Sequence, residues 1–392
     1  MEIISYGRQH IDEDDIRAVA DCLRSGVLTQ GPRIAQFEQA VCEYVGVRYA
    51  VAVCNGTAAL HLAAMAADLG PEAVVVTSPI TFVASANAAL YVGARPVFAD
   101  VDPDTINLSP SALANTIGKV SGTRAIVPVH FAGLPCDMGP IKSAADRAGA
   151  VVIEDAAHAL GASYPDGGRV GSCRNSLMTI FSFHPVKSIT TGEGGMITTN
   201  DERVYRRLLR LRSHGITKGS DEFVMPEDAF TNGLPNPWYY ELQELSFNYR
   251  ITDIQCALGI SQLAKLDRFI DRRRHLVARY DRAFADSVRI QPIQLGQRDQ
   301  SAHHLYPVRI DFPSAGISRA DLMVQLRSRG IITQVHYMPV PSHPHYRRLG
   351  FNPDDYPHAQ AYYHQGLSLP LYYDLTESQQ DTMIAILQEL VS

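Results

Sequence analysis

Lysine is scarce in this 392-residue chain. Of its 35 basic residues only five are lysine: Lys119, Lys142, Lys187, Lys218 and Lys265. Any chemistry that needs an amine nucleophile therefore has five candidates. Basic charge is in deficit as well. Against 35 basic residues stand 41 acidic ones, a net charge of −6, which excludes the basic footprint of a nucleic-acid binder and disfavours an anionic membrane surface. No apolar run reaches the ~18 residues of a transmembrane helix. The opening Met1-Glu-Ile-Ile-Ser-Tyr-Gly-Arg8 has neither the basic region nor the apolar core of a signal peptide. The cysteines, Cys22, Cys42, Cys54, Cys136, Cys173 and Cys256, form no CxxC pair and read as reduced thiols of a cytoplasmic protein. Also missing are the GxxxxGK(S/T) loop, a GxGxxG turn after a strand, the GxSxG elbow and the HExxH helix. The missing glycine fingerprint removes the nicotinamide dehydrogenase that an α/β pattern would otherwise bring to mind. No carboxylate or cysteine spacing beside His303-His304 or His343-Pro-His345 completes a metal site, so surface or packing roles are expected there.

What is present is core material: 46% apolar and 19% charged residues, in a length that suits two or three domains. Apolar runs at Tyr49–Val53, Val74–Pro79, Arg95–Val101, Ala125–His130, Val151–Asp155, Met178–Phe183 and Gly195–Thr199 alternate with helical stretches such as Thr57–Leu69, Ala84–Val92, Ser111–Ile117 and Met138–Ala148. Runs that are apolar throughout suit strands buried on both faces. The alternation predicts an α/β fold, with a mainly parallel seven-stranded sheet flanked by helices. Residues 218–244 read as a long loop rich in Pro, Asn and aromatics. A long helix is expected from Thr252 to about Ala285. Beyond it lie strands at Tyr306–Phe312 and Ile331–Tyr337, a helix at Arg319–Arg329, and a last helix opened by the capping box Thr376-Glu-Ser-Gln379. The expected division is a large domain at 1–250 and a small α+β domain at 251–392.

Among the lysines, Lys187 stands apart. It lies between two strand candidates in Phe181-Ser-Phe-His-Pro-Val-Lys187-Ser-Ile-Thr-Thr-Gly-Glu-Gly-Gly195, where Pro185 forbids a regular helix. Lys119, Lys142 and Lys265 fall in or beside amphipathic helices, and Lys218 in the loop. A lysine at a strand end is a Schiff-base candidate, since desolvation lowers its pKa and frees the amine. If Lys187 holds pyridoxal phosphate, three further parts must exist. A carboxylate must keep the pyridine nitrogen protonated. Glu154 and Asp155 end a strand and point to opposite faces; Asp155 is the choice, though the segment alone equally fits a helix N-cap. A helix N-terminus must hold the phosphate, and Cys54-Asn-Gly-Thr-Ala58 follows a strand and opens a helix, with Gly56 allowing close approach. A flat apolar group must stack on the ring, and Phe82 follows the next strand.

At these residues the chain resembles the DegT/StrS family of pyridoxal-phosphate-dependent sugar aminotransferases. The likeness runs through Leu28-Thr-Gln-Gly31, Asn55-Gly-Thr-Ala58, Thr81-Phe-Val-Ala84, Glu154-Asp-Ala-Ala-His158, Ser182-Phe-His-Pro-Val-Lys187, Gly192-Glu-Gly-Gly195, Arg212-Ser-His-Gly215 and Phe247-Asn-Tyr-Arg-Ile-Thr-Asp-Ile-Gln255. It implies the fold-type I architecture of that enzyme class. It also implies that Lys187 carries the cofactor as a Schiff base and then moves a proton between cofactor and sugar. Asp155 would pair with the ring nitrogen, His158 lie against the ring and its 3-hydroxyl, and Phe82 stack on it. Gly56, Thr57, Ala58 and Ser182 would hold the phosphate, with Asn248 reaching it from the neighbouring subunit of a homodimer. Tyr6, Val27, Leu28, Thr29, Arg250 and His336 are the implied substrate residues. Read locally, Arg250 could instead pair with Asp253 at a helix start.

Trp238-Tyr-Tyr-Glu241, the segment from Tyr6 to Thr29, and Gln334-Val-His-Tyr337 are most similar to family members that aminate C4 of a UDP-linked 4-keto-6-deoxy-N-acetylhexosamine on the pseudaminic acid route. That resemblance implies a nucleotide-sugar substrate and glutamate as amino donor. A related aminotransferase acting on another keto sugar, such as a dTDP-sugar, is the alternative. A non-catalytic cofactor-binding relative would be expected to lack the lysine or the carboxylate, and both are present.

Overall fold

The apolar runs become strands β1 (Tyr49–Val53), β2 (Val74–Thr77), β3 (Arg95–Phe98), β4 (Thr123–Val127), β5 (Val151–Asp155), β6 (Met178–Ser182) and β7 (Gly195–Thr199) in the computed structural model, which describes residues 3–392 apart from the Asp221 side chain. They form one seven-stranded sheet in the order β1-β7-β6-β5-β4-β2-β3. The β2–β3, β2–β4, β4–β5 and β5–β6 pairings are parallel, and only β7 runs against its neighbours β1 and β6. The expectation of a mainly parallel sheet is met.

Alternation along each strand divides the core in two. Ala50, Ala52, Val74, Val76, Ile126, Val152, Phe181 and Met196 face a cluster that includes the helices Pro32–Val45 and Met138–Ala148. Val51, Val53, Val75, Ala125, Val127, Ile153 and Ile197 face the opposite cluster, with the helices Gly56–Ala66, Ala84–Tyr91 and Glu202–Arg212. A sheet covered on both faces explains why its strands are apolar throughout. The helix Gly56–Ala66 is alanine-rich and almost wholly buried, so it packs close beneath the sheet.

Past residue 250 the structure departs from the expected single long helix. Two helices form instead, Asp253–Leu263 and Leu266–Phe284. At the break, Lys265 pairs with Asp12 at 2.6 Å and with the buried Asp15 at 2.7 Å. The turn lets Phe269 and Ile270 finish the first core, while Leu276, Val277, Tyr280 and Phe284 enter a separate one. That separate core covers a three-stranded antiparallel sheet of Ile290–Pro292, Tyr306–Ile310 and Gly366–Leu369. Helices Arg319–Ser328 and Glu377–Val391 pack on it, and the latter opens with the expected Thr376–Gln379 capping box. The strand expected at Ile331–Tyr337 is reduced to two bridges, Ile331 with Ile4 and Gln334 with Ser368. After Gln334 the chain leaves the sheet edge and brings His336 and Tyr337 to the cavity described next.

Candidate active site

A cavity of about 590 Å³ opens where the carboxyl ends of β1, β2, β4, β5 and β6 meet the start of β7. Ligands of open α/β sheets bind at such strand ends. Lys187 enters it from the turn between β6 and β7. That turn is tied by Phe183 N–H to Gly194 O (2.9 Å), Thr191 N–H to Phe183 O (3.0 Å) and Lys187 N–H to His184 O (2.9 Å). Gly192 sits at φ +80°, and a Cβ on Gly194 would lie 2.2 Å from Thr191 Oγ1. Lys187 Nζ makes no hydrogen bond or ion pair among the described residues. Burial pushes its pKa down to about 8, with the charge of Asp155 opposing the fall. The other lysines differ: Lys142 pairs with Asp146, Lys265 with two aspartates, and Lys119 and Lys218 are exposed.

The two acids ending β5 separate as their alternation requires. Glu154 is fully buried away from the cavity and accepts from His130 Nε2–H (2.8 Å), Ser176 (2.5 Å), Thr179 (3.1 Å) and the Tyr164 hydroxyl. His130 Nδ1 accepts the Cys136 N–H (3.1 Å), so its proton sits on Nε2, facing Glu154. Burial opposes the Glu154 charge, but these donors outweigh it and hold its pKa below the usual value. Asp155 lines the cavity, accepting from Ala157 N–H (3.1 Å) and Ser85 Oγ–H (2.6 Å). No helix follows it, so the N-cap reading of Asp155 falls; its local bond to Ala157 is a turn contact.

Asn55 caps the helix Gly56–Ala66 by accepting the Ala58 N–H at 2.8 Å. Ala58 itself is buried and outside the cavity, with its donor taken, which corrects its expected place among the phosphate contacts. Gly56 and Thr57 keep their N–H groups in the first turn, where the helix end favours an anion. A Cβ on Gly56 would lie 3.1 Å from Ser182 Cβ, so glycine keeps this corner narrow. Phe82 is 59% exposed at the cavity, an apolar ring left open to a ligand.

The opposite wall is built from histidines and tyrosines. His158 Nε2 lies 3.1 Å from the Tyr337 hydroxyl, and its ring is 4.3 Å from that of His304. Burial drives His158 and His304 far below the usual histidine pKa, and His336 to about 3. His158 Nδ1 and His304 Nδ1 have no hydrogen-bond partner among the described residues. His336 bonds Ser368 Oγ at 2.9 Å, and Tyr6 packs against it with ring centroids 5.6 Å apart. His304, expected in a surface or packing role, in fact lines the cavity, as do Ser85 and Tyr337. The His-His spacing carried no sign of this; Arg273 of the helix Leu266–Phe284 donates to His304 O at 3.2 Å, and His304 N–H donates to Ala132 O at 2.9 Å.

A model of the DegT/DnrJ/EryC1/StrS aminotransferase family matches residues 9–388. This chain belongs to that family. The spore coat polysaccharide biosynthesis protein SpsC of Bacillus subtilis is 37% identical to this DegT-family chain over 390 residues, covering 99% of it and 97% of SpsC. The UDP-4-amino-4,6-dideoxy-N-acetyl-beta-L-altrosamine transaminase of Campylobacter jejuni is 35% identical over 393 residues, covering 99% and 98%. Among solved structures, Helicobacter pylori PseC, an aminotransferase of pseudaminic acid biosynthesis, superposes with a TM-score of 0.89 at 30% identity, covering 100% and 99%. The PLP-form of Spr1654 from Streptococcus pneumoniae does so at 0.88 and 30%, covering 100% of both chains.

Membership of the DegT family makes the chain a sugar aminotransferase and implies pyridoxal phosphate as its cofactor. The residues present fit that group. An unpaired amine of lowered pKa, a carboxylate, an exposed aromatic face, a helix N-terminus and an orphaned imidazole nitrogen all face one cavity. Besides Ala58, five expected residues lie outside it. Val27, Leu28 and Thr29 are exposed; Leu28 O accepts the Asp253 N–H, and Thr29 pairs with Thr252. Asn248 is exposed in an extended segment bridged to Ser213, and Arg250 is bridged to Val53. Arg250 does not pair with Asp253. That buried carboxylate accepts Gly31 N–H (2.8 Å) and Arg33 N–H (2.9 Å) instead, capping the helix Pro32–Val45.

Proposed function

We propose that this chain transfers an amino group from glutamate to C4 of a UDP-linked 4-keto-6-deoxy-N-acetylhexosamine, with pyridoxal phosphate bound to Lys187, in the cytoplasm. The observation that carries the reading is the convergence of Lys187 and Asp155 on one cavity, with no competing partner for the amine. The C4 and UDP assignments draw support from the similarity to the Campylobacter and Helicobacter proteins.

The chemistry supplied by pyridoxal phosphate is temporary storage of the amino group and withdrawal of electrons from the carbon that gains or loses a proton. The chain's residues do the rest. Lys187 anchors the cofactor through its Nζ and afterwards carries the proton at that atom; a pKa near 8 leaves part of the amine free at neutral pH. Asp155 holds the proton on the ring nitrogen. Gly56, Thr57 and Ser182 would hold the phosphate, Phe82 would stack on the ring, and Tyr337, bonded to His158 Nε2, would keep that imidazole against the cofactor. Tyr6 and His336 line the sugar side. Asn248 and Arg250 serve the site of a second subunit, where Arg250 attracts the anionic nucleotide to a protein of net negative charge.

Purified protein loaded with cofactor, incubated with glutamate and a panel of UDP- and dTDP-linked 3-keto and 4-keto sugars, tests this reading. The UDP-linked 4-keto sugar should yield its amino product by mass spectrometry. Preference for a dTDP-sugar or a 3-keto sugar would overturn the substrate assignment, and absence of any amino product would overturn the activity.

A further inference from the structure

The Asp155 carboxylate is held by a partner 70 residues away in the chain. Ser85 Oγ lies 2.6 Å from Asp155 Oδ2, and Thr81 Oγ1 lies 2.7 Å from Ser85 Oγ. Both hydroxyl residues are buried, Thr81 at 2% exposure and Ser85 at 0%. A carboxylate only accepts, so the single Ser85 proton points to Asp155 and the Thr81 hydroxyl must donate to Ser85. The result is a one-way relay, Thr81 to Ser85 to Asp155, at the buried wall of the cavity. Hydrogen bonds to an ionised acceptor are shorter and stronger than neutral ones, and burial strengthens them further.

The relay has a second end. Ser85 N–H donates to Phe82 O at 3.2 Å, and Ser85 Oγ lies 3.3 Å from the same carbonyl. One turn, Thr81–Ser85, therefore ties down both the backbone that carries Phe82 and the orientation of the Asp155 carboxylate. Oδ1 is already tied to the Ala157 N–H, so with Ser85 on Oδ2 the carboxylate plane cannot rotate.

We propose that Ser85, backed by Thr81, is a positioning residue: it sets the Asp155 carboxylate for the ring nitrogen of the cofactor and couples that setting to the Phe82 stack. The proposal rests on the aminotransferase reading above. With Ser85 lost, the carboxylate keeps one tether and can swing, and the ring nitrogen holds its proton less firmly.

The test uses full-length holoenzyme carrying Ser85→Ala, Thr81→Val or Asp155→Asn. The visible absorbance band of bound pyridoxal phosphate is titrated against pH, and kcat and KM for glutamate are measured. Ser85→Ala should shift the band's titration midpoint by roughly half a pH unit or more and lower kcat about tenfold, with KM changed less than about twofold. Thr81→Val should move both in the same direction by less, and it carries the test alone if Ser85→Ala does not fold. An unchanged midpoint in the variant read out overturns the Ser85 proposal, whatever its kcat, and leaves the aminotransferase reading standing. Wild-type protein that neither takes up pyridoxal phosphate nor transaminates, or Asp155→Asn with full turnover, overturns that parent reading instead.

Discussion

Glu154 and Asp155 are consecutive, yet their carboxylates serve opposite faces of β5, Glu154 inside a closed cage of four donors and Asp155 in the open cavity. The two amide substitutions should therefore fail in different ways. Asp155→Asn should fold and keep cofactor while losing transamination by about 100-fold or more, because it cannot stabilise a protonated ring. Glu154→Gln should lose about 2–4 kcal/mol of stability, since an amide nitrogen would face donors that need an acceptor. Its folded fraction should keep most of its turnover. Thermal melts and steady-state rates separate the two; a rate loss confined to Glu154→Gln would exchange their roles.

Lys187 should be the residue that borohydride fixes to pyridoxal phosphate, with the adduct found by peptide mapping and lost in Lys187→Ala. Its pKa of about 8 adds a pH test. The value is lowered, so the amine is mostly protonated at pH 7 and mostly free at pH 9. Cofactor capture by the apoenzyme should accelerate roughly tenfold per pH unit below 8 and level off above it. Capture that is flat from pH 6 to 9, or an adduct on Lys218, would remove Lys187 from the role.

Strand ends were the legible part of this chain. β1, β2, β5 and β6 each finish beside a site residue that simple alternation and turn chemistry pick out: Gly56, Phe82, Asp155 and Lys187. What stayed hidden depends on pairing across the fold. Ser85 reads as an ordinary helical serine until β5 brings Asp155 to it, and His304 reads as a packing histidine until it meets His158. Asp253 offered Arg250 a nearby partner, but the backbone of Gly31 and Arg33, over 200 residues earlier, claims it. The helix expected through Thr252–Ala285 carries helical spacing along its whole length; contacts with the N-terminal segment, Lys265 with Asp12 and Asp15 and Gln262 with Asp15, mark where it turns.

The mouth of the phosphate corner is held by contact between backbones. A Cβ on Gly195 would lie 2.5 Å from Asn55 O and 2.9 Å from Gly56 N. Gly195→Ala must push the Asn55–Thr57 turn away from β7 or displace the strand. Titration of the apoprotein with pyridoxal phosphate should show affinity lowered at least about tenfold, alongside a reduced melting temperature. Wild-type affinity would mean that the phosphate is held elsewhere.

Asn248 lies outside the cavity of its own chain, exposed, with its side-chain oxygen accepting the Arg250 N–H at 3.2 Å. Yet the segment it belongs to runs beside the phosphate corner, since Cys54 N–H donates to Tyr249 O at 2.9 Å. In a shared-site dimer Asn248 would serve the partner's phosphate. Asn248→Ala should then weaken cofactor retention, and Lys187→Ala should be inactive. In a mixed dimer of these two variants, one site carries both lesions and the other carries neither. Random exchange of equal amounts makes about half of the dimers mixed, each with one intact site, so about a quarter of wild-type activity should return. The measurement is turnover before and after exchange, with heterodimer formation verified by differential tagging and native mass spectrometry. If exchange is complete and activity only averages the two parents, each subunit holds its own complete site and Asn248 has no part in its neighbour's.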